Sequence, residues 1–129
     1  MNNTLDDVIA AYVRNQSESS LEALHTTFMR ESLLVPVAEP VKELEPDTFD
    51  VPVICVRTEV GAGAIPSFTS LEHLLNWKPA GCLYTSLTGR SLLGMAVGMD
   101  SISEILVNPN DVPRGRIPRG DFKRMLALK

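Results

Sequence analysis

Two segments near the N-terminus place apolar residues at the spacing of one helix face. The first segment has five such residues: Leu5, Val8, Ile9, Tyr12 and Val13. Thr4 and Asp7 predict a capping box at its start, because each side chain can accept a hydrogen bond from the other residue's backbone N–H. After a serine-rich break over residues 15–20, a second helix is predicted from Ser20. The chain is therefore expected to begin with two helices.

Apolar and β-branched residues then predict strands. Residues 32–37 form one predicted strand, and residues 52–59 form the strongest one because they are rich in valine and isoleucine. Five acids and two prolines make residues 38–50 a predicted surface loop. Glycines in residues 60–63 predict a turn that pairs the strand at 52–59 with a strand at 64–68. This part of the chain is therefore expected to contain a hairpin.

The strand at 64–68 leads directly into a predicted helix, and this corner is the feature around which the rest of the chain is expected to pack. Thr69 and Glu72 have the spacing of a capping box. Leu71, Leu74 and Leu75 follow at helical spacing, which predicts that this face points into the core.

The C-terminal half continues the alternation of helices and strands. The predictions are a short strand at 82–86, a buried helix at 88–99, a buried strand at 104–107, a turn at 108–111 and a terminal helix at 121–128. This order is typical of an α+β (mixed α/β) domain, with a sheet of about four or five strands and helices packed on it.

Length and composition predict one domain over residues 1–129, with 44% hydrophobic and 22% charged residues. The N-terminus lacks the basic and apolar regions of a signal peptide, and no apolar run reaches the roughly 20 residues that span a bilayer. We therefore expect a cytoplasmic protein without a membrane partner. The net charge of −4 argues against nucleic acid as the main partner.

The charge is unevenly distributed. Residues 114–129 contain six basic residues and one acid, whereas residues 1–113 contain six basic residues and fifteen acids. Such a dipolar chain favours binding of a charged protein partner or head-to-tail association of copies. The basic residues predicted to contact a partner lie on a Pro/Gly loop and the helix after it: Arg114, Arg116, Arg119, Lys123 and Arg124.

Aromatic residues suggest a second contact surface at the strand–helix corner, formed by Phe68 and Trp77. Trp77 is the only tryptophan and lies at a predicted helix end beside a Pro/Gly turn. It is expected to be either a core residue or a half-exposed anchor of the kind that dominates interface energies.

Catalytic and metal motifs do not emerge from the sequence. The histidines and cysteines lack the spacing of metal ligands, and no Gly-x-Ser-x-Gly motif is present. Cys55 is expected to be a small core residue and His25 to lie at the rim of its helix. We therefore predict no catalytic residues, metal or cofactor. A pocket near His73, acting as a small-molecule sensor or an enzyme, is the alternative.

Four segments resemble a known family in their order and residues: LLVPV (33–37), IPSFTSLEHLLNW (65–77), LTGRSLLGMA (87–96) and ILVNPN (105–110). They are similar to the N-terminal domain of the SseB family. The resemblance covers residues 20–128 as a core, with residues 1–19 as a helical N-terminal extension.

The resemblance implies a bacterial cytoplasmic domain with no agreed catalytic residues, cofactor or substrate. Longer family members carry a second, C-terminal domain, which this chain is expected to lack. We expect a non-enzymatic protein that binds other proteins or regulates them. Weak nucleic-acid binding through the basic C-terminal residues is a third hypothesis, after the pocket near His73.

Overall fold

Two helices open the chain, and strands and helices then alternate. The computed structural model describes residues 4–38, 53–57, 63–109, 111 and 114–127. The helices are α1 (Leu5–Arg14), α2 (Glu18–Arg30), α3 (Leu71–Trp77), α4 (Gly89–Val97) and α5 (Phe122–Leu126). The strands are β1 (Ser32–Pro36), β2 (Val56–Arg57), β3 (Gly63–Ser67), β4 (Tyr84–Thr88), β5 (Ile102–Val107) and β6 (Gly115–Pro118). No helix in these ranges is both long and apolar enough to cross a bilayer.

The strands form two sheets. A four-stranded sheet has the order β2-β3-β5-β6, in which β3 and β5 are parallel and the other pairs are antiparallel. A second sheet pairs β1 with β4 antiparallel. Leu34 and Phe68 connect the sheets by exchanging two backbone hydrogen bonds of 2.8 and 2.9 Å. The predicted α+β class, with two N-terminal helices and helices packed on sheet, is confirmed.

Four helices and the inner faces of the strands enclose one main hydrophobic core. Its fully buried side chains include Phe28 from α2, Leu93 from α4, Ile105 from β5, Ile117 from β6 and Phe122 from α5. α1 adds three further core residues: Leu5, Val8 and Ile9. The amphipathic stripe of α1 is thus confirmed over its first two turns, and Val13 beyond it is 59% exposed.

Several element boundaries differ from the prediction. α2 begins at Glu18 because Ser17, rather than Ser20, is its N-cap. The predicted strand at 82–86 lies at 84–88 instead, and its last residue, Thr88, caps α4. The loop predicted at 38–50 lies outside the described residues except for Ala38.

Two further predictions of regular structure need correction. The strand predicted at 52–59 is described over residues 53–57, of which Val56 and Arg57 form β2 and Val53 makes a β-bridge to Val37. Residues 52, 58 and 59 lie outside the described residues. The Pro/Gly loop predicted to hold the arginines contains a strand, β6, because its residues pair in register with β5.

The strand–helix corner is present, but its cap and its faces differ from the prediction. Ser70 is the N-cap of α3, because its hydroxyl accepts a hydrogen bond from the backbone N–H of His73. Thr69 instead turns its hydroxyl to other partners. Leu74 is fully buried, whereas Leu71 and Leu75 are 44% and 39% exposed. The prediction that all three leucines face the core was wrong, because this seven-residue helix buries only one line of side chains.

Two other burial predictions were wrong. Cys55 is exposed, because it lies between half-buried Ile54 and Val56, and adjacent residues of an extended segment point to opposite sides. His25 is buried, at 4% exposure, rather than at a rim. Its Nε2 lies 3.6 Å from a carboxylate oxygen of Asp121. Burial lowers the pKa of His25, an effect that Asp121 opposes and Arg124 reinforces.

Candidate functional site

His73 lies between two carboxylates. Its Nδ1 is 2.6 Å from Oδ2 of Asp111, and its Nε2 is 3.1 Å from Oδ2 of Asp6. Only 15% of the His73 side chain is exposed. The three residues belong to α3, to the turn after β5 and to the first turn of α1. A polar cluster therefore joins three separate parts of the chain.

Asn108 positions the carboxylate of Asp6. Parallel β3 and β5 bring their C-terminal ends together, so that the Asn108 N–H donates to the carbonyl of Ser67 at 2.8 Å. Asn108 has a left-handed φ of 53°, which asparagine tolerates better than most residues. Its side-chain Nδ2 donates to Oδ1 of Asp6 at 3.2 Å and to the hydroxyl of Thr69 at 3.1 Å.

Thr69 and Asn76 complete the cluster. The Thr69 hydroxyl donates to Oδ1 of Asp6 at 2.6 Å, and the Thr69 N–H donates to Oδ1 of Asn108 at 3.0 Å. Asn76 Nδ2 donates to Oδ2 of Asp111 at 2.9 Å. Asp6 therefore contacts three side chains, and this explains why Thr69 does not cap α3.

The electrostatics of the cluster favour the charged form of His73. Burial alone would lower the pKa of His73, but hydrogen bonds and charges from Asp111 and Asp6 outweigh it, so the pKa lies above its ordinary value of 6.5. In the imidazolium form, both ring nitrogens donate to carboxylates. This arrangement stabilises the positions of α1, α3 and the turn after β5 relative to one another.

The geometry does not match a nucleophilic or metal site. A histidine that activates a hydroxyl needs one ring nitrogen directed at it, but here both nitrogens contact carboxylates and Thr69 donates to Asp6. The two ring nitrogens point in diverging directions, so one ion could not bind both carboxylates and the ring. In the described ranges, no group of three or more His, Cys, Asp or Glu side chains is arranged to hold a metal ion.

A cavity of about 250 Å³ lies beside the cluster. It shares Asp6 and Thr69 with the cluster and is also lined by Thr4, Leu5, Glu31 and Ser32. His73 is not part of the lining, and it contacts the lining through the hydrogen bond between its Nε2 and Asp6. The hypothesis of a small-molecule pocket near His73 therefore stays a prediction, and this cavity is the place where such a molecule would bind.

Replacing His73 with glutamine is expected to cost more stability at pH 6 than at pH 9. A pKa that folding raises above 6.5 gives stability that is present below pH 6.5 and is lost as pH rises through the folded-state pKa. We expect a cost of about 1.5–3 kcal/mol at pH 6, the range for hydrogen bonds to charged groups, and a smaller one at pH 9. Urea unfolding at both pH values measures it.

His25→Gln is the control for this experiment. The pKa of His25 is lowered, so His25 opposes folding as pH falls below 6.5, and the pH trend of its variant should have the opposite sign. An equal cost of His73→Gln at both pH values would show that the charge of His73 does not stabilise the fold.

Arg119, one of the predicted contact residues, is engaged within the domain. Its guanidinium donates to the carbonyls of Val97, Met99 and Ile102 at 2.8–2.9 Å and to that of Ala96 at 3.3 Å. Its charge also lies 5.8 Å from the centre of the Phe122 ring. Arg119 therefore satisfies carbonyl groups at and beyond the C-terminal end of α4, in addition to any contact with a partner.

The other predicted basic residues are exposed but do not share one surface. Arg116 bonds to the buried Glu104 while 65% of its side chain remains exposed. Along β6, Gly115 and Ile117 are buried and Arg116 points to the opposite face. Lys123 and Arg124 lie on α5, whose buried residues belong to the main core. Arg114 is exposed just before β6. Their binding of a partner stays a prediction.

Phe68 and Trp77 are brought together, as the second predicted surface requires. Their ring centres are 5.3 Å apart at an interplanar angle of 43°. Phe68 is fully buried and Trp77 is partly exposed. A partner at this corner would therefore contact Trp77 rather than Phe68.

The polar cluster was missed in the sequence because its members are distant from one another. Asp6 and Asp111 are separated from His73 by 67 and 38 residues. One signal was available: Asn108 follows a buried strand and Thr69 follows another. If those strands had been predicted to be parallel neighbours, their C-terminal ends would have placed the two side chains side by side.

Comparison with known proteins gives a family. No curated protein and no solved structure matches the chain. The family model for the SseB protein N-terminal domain matches residues 5–114, which include His73, Asp6, Asp111 and Asn108 of the polar cluster. The match extends from the first turn of α1 to the residue before β6, and thus over most of the chain. The chain therefore belongs to the SseB N-terminal domain family.

Proposed function

We propose that this domain acts in the bacterial cytoplasm by binding other proteins, without catalysing a reaction. The observation that carries the proposal is the distribution of exposed apolar side chains. Of the five large hydrophobic residues exposed in the described ranges, four lie on α3 or where β4 begins: Leu71, Leu75, Leu83 and Tyr84. Partly exposed Trp77 lies between them in the sequence.

The α3 surface, which we define as Leu71, Leu75 and Trp77, has the composition of a protein contact. Leu71 and Leu75 are one helical turn apart and share one side of α3. Aromatic anchors such as Trp77 dominate the energies of protein interfaces. Leu74 on the inner side and the packing of Trp77 on Phe68 fix the helix to the domain. A partner would therefore bind a helix that is already ordered.

The polar cluster supports the non-enzymatic part of the proposal. Both nitrogens of His73 and the hydroxyl of Thr69 are engaged with carboxylates. A general base must reach the proton that it removes, and among the described residues the ring nitrogens of His73 contact Asp6 and Asp111. The cluster thus has the properties of a structural bridge.

Changing Leu71 and Leu75 together to glutamate is expected to weaken capture of the partner without unfolding the domain. Complete burial of a leucine contributes about 1.5–3 kcal/mol. Leu71 and Leu75 are each about half exposed, so burying both against a partner should contribute about as much binding free energy as burying one leucine completely. Loss of this contribution corresponds to a roughly 10- to 150-fold rise in Kd. The measurement is affinity capture from bacterial cytoplasm, followed by titration of each captured protein.

Val13→Glu is the matched control, because Val13 is an exposed apolar residue on a different helix. A second arm, Arg114→Ala with Arg116→Ala, run at low and high salt, tests the basic residues. If a partner is retained by the leucine variant but lost from the arginine variant at low salt, the basic residues rather than the α3 surface form the contact. Equal retention by all variants would refute both surfaces.

A further inference from the structure

Among the strands that the structure describes, β4 has one open edge. It pairs with β1 along its whole length, from Tyr84 opposite Pro36 to Thr88 opposite Ser32. In the described part of the chain, no strand pairs with its other side, since the two-stranded sheet consists of β1 and β4 alone. β4 is therefore an edge strand of the sheet formed by the described residues.

The hydrogen-bond alternation shows which residues of β4 face outward. Val37 N–H donates to the carbonyl of Leu83, and Gly89 N–H donates to the carbonyl of Glu31. In an antiparallel pair every second residue makes such bonds to its neighbour strand. Residues 83, 85, 87 and 89 thus face β1, and the backbone groups of Tyr84, Ser86 and Thr88 point away from it.

The residues of β4 itself carry no feature that blocks an edge. Edge strands are commonly blocked by charged residues, by proline or by a β-bulge. Residues Tyr84–Thr88 read Tyr-Thr-Ser-Leu-Thr, with no charge and no proline. The register with β1 runs without a shift over all five pairs. The edge is therefore regular, uncharged and able to accept another strand.

We propose that β4 pairs antiparallel with β4 of a second copy of this chain, about a twofold axis at Ser86. The outward-facing backbone groups of Tyr84 and Thr88 lie two residues on either side of Ser86. Rotation about Ser86 therefore places the donors of one strand opposite the acceptors of the other. Ser86 lies opposite Ser86 of the second copy, and Tyr84 lies opposite Thr88 of the second copy. At least four backbone hydrogen bonds form, two between the Ser86 residues and two from the Thr88 N–H groups to Tyr84 carbonyls.

Side chains across this pairing are compatible. Tyr84, which is 45% exposed, meets a threonine, and aromatic and β-branched residues are favourable cross-strand partners. No like charges oppose each other within the five residues. Joining two copies would turn each two-stranded sheet into half of a continuous four-stranded one, which removes the open edge from both. A second copy is favoured because it places a tyrosine–threonine pair on each side of the axis and brings no charge to the edge.

Charges introduced at Ser86 test the proposal. Sedimentation equilibrium of the wild-type chain should show reversible dimers. Ser86→Lys and Ser86→Asp should each weaken dimerisation by roughly tenfold or more, because like charges then lie directly opposite. An equimolar mixture of the two variants should restore it, because opposite charges then meet across the axis. Ser19→Lys, at an exposed serine of α2, should dimerise as wild type does.

Ser86→Pro gives a second test, because the N–H of Ser86 points outward and its loss leaves the bonds to β1 intact. This variant should unfold near the wild-type temperature and be monomeric. Wild-type protein that remains monomeric at all concentrations would overturn the proposal, as would Ser86 variants that dimerise as tightly as wild type. The α3 surface is unaffected by either outcome, since no Ser86 variant alters it.

Discussion

Replacing Gly89 with alanine is expected to destabilise the domain more than any other substitution considered. A Cβ at this position would lie 1.8 Å from the carbonyl oxygen of Phe28 and 2.6 Å from its carbon. These are backbone atoms and cannot rotate away. Gly89 also donates its N–H to the carbonyl of Glu31 at 2.9 Å, so α4 starts directly against the end of α2. We expect a loss of more than about 4 kcal/mol, or failure to fold.

The measurement is urea unfolding followed by circular dichroism, with the soluble yield recorded for a chain that does not fold. Gly120→Ala is the matched control, because a Cβ there has no atom within 4 Å. It should change stability by less than about 0.5 kcal/mol. An unfolding midpoint for Gly89→Ala equal to that of wild type would show that α2 and α4 are not held this closely.

Arg119→Ala is expected to have the second-largest effect, a loss of about 2–4 kcal/mol. The guanidinium supplies donors to four carbonyl groups at and after the C-terminal end of α4. The carbonyls of Ala96 and Met99 keep backbone N–H donors at 3.0 Å. The loss therefore comes from the four charge-assisted hydrogen bonds of the guanidinium and from its contact with Phe122. Arg119→Lys should recover only part of the loss, because an ammonium group lacks the planar fork that reaches several carbonyls. Thermal and urea unfolding would measure both variants.

Arg114→Ala provides the comparison for this experiment, since Arg114 is exposed just outside β6. Its stability should stay within about 0.5 kcal/mol of wild type. Equal, small effects of the two substitutions would mean that water replaces the Arg119 hydrogen bonds at little cost. In that case Arg119 would be a surface residue comparable to Arg114, as the sequence pattern predicted.

Features set by neighbouring residues could be predicted from the sequence. The capping box of Thr4 and Asp7 is present, with hydrogen bonds of 3.2 Å in both directions, because both partners lie within one helical turn. The predicted order of helices and strands also indicated the α+β class correctly. Local chemistry was sufficient where only one turn or one hairpin was involved.

Features set by distant residues could not be predicted in this way. Thr69 has the correct spacing for a capping box with Glu72, but Asp6 and Asn108 compete for its hydroxyl from 63 and 39 residues away. Arg119 was predicted to contact a partner because it lies in a basic, glycine-rich segment. It binds α4 carbonyls because β6 pairs with β5 and places Arg119 beside the C-terminal end of α4. The first outcome depends on the parallel placement of β3 and β5 and the second on the antiparallel pairing of β5 with β6, and no local pattern reveals either.

The position of β1 has a consequence for synthesis of the chain. Leu33 and Val35 are fully buried in the folded domain, yet every described strand partner of β1 lies downstream: Val53, Phe68 and β4. At roughly 5–20 residues per second, a ribosome needs several seconds to extend the chain from β1 to β4. During that interval an apolar strand has neither edge paired. We therefore expect nascent chains of this protein to need chaperones, or a low concentration of unfolded chains, to avoid aggregating before β4 emerges.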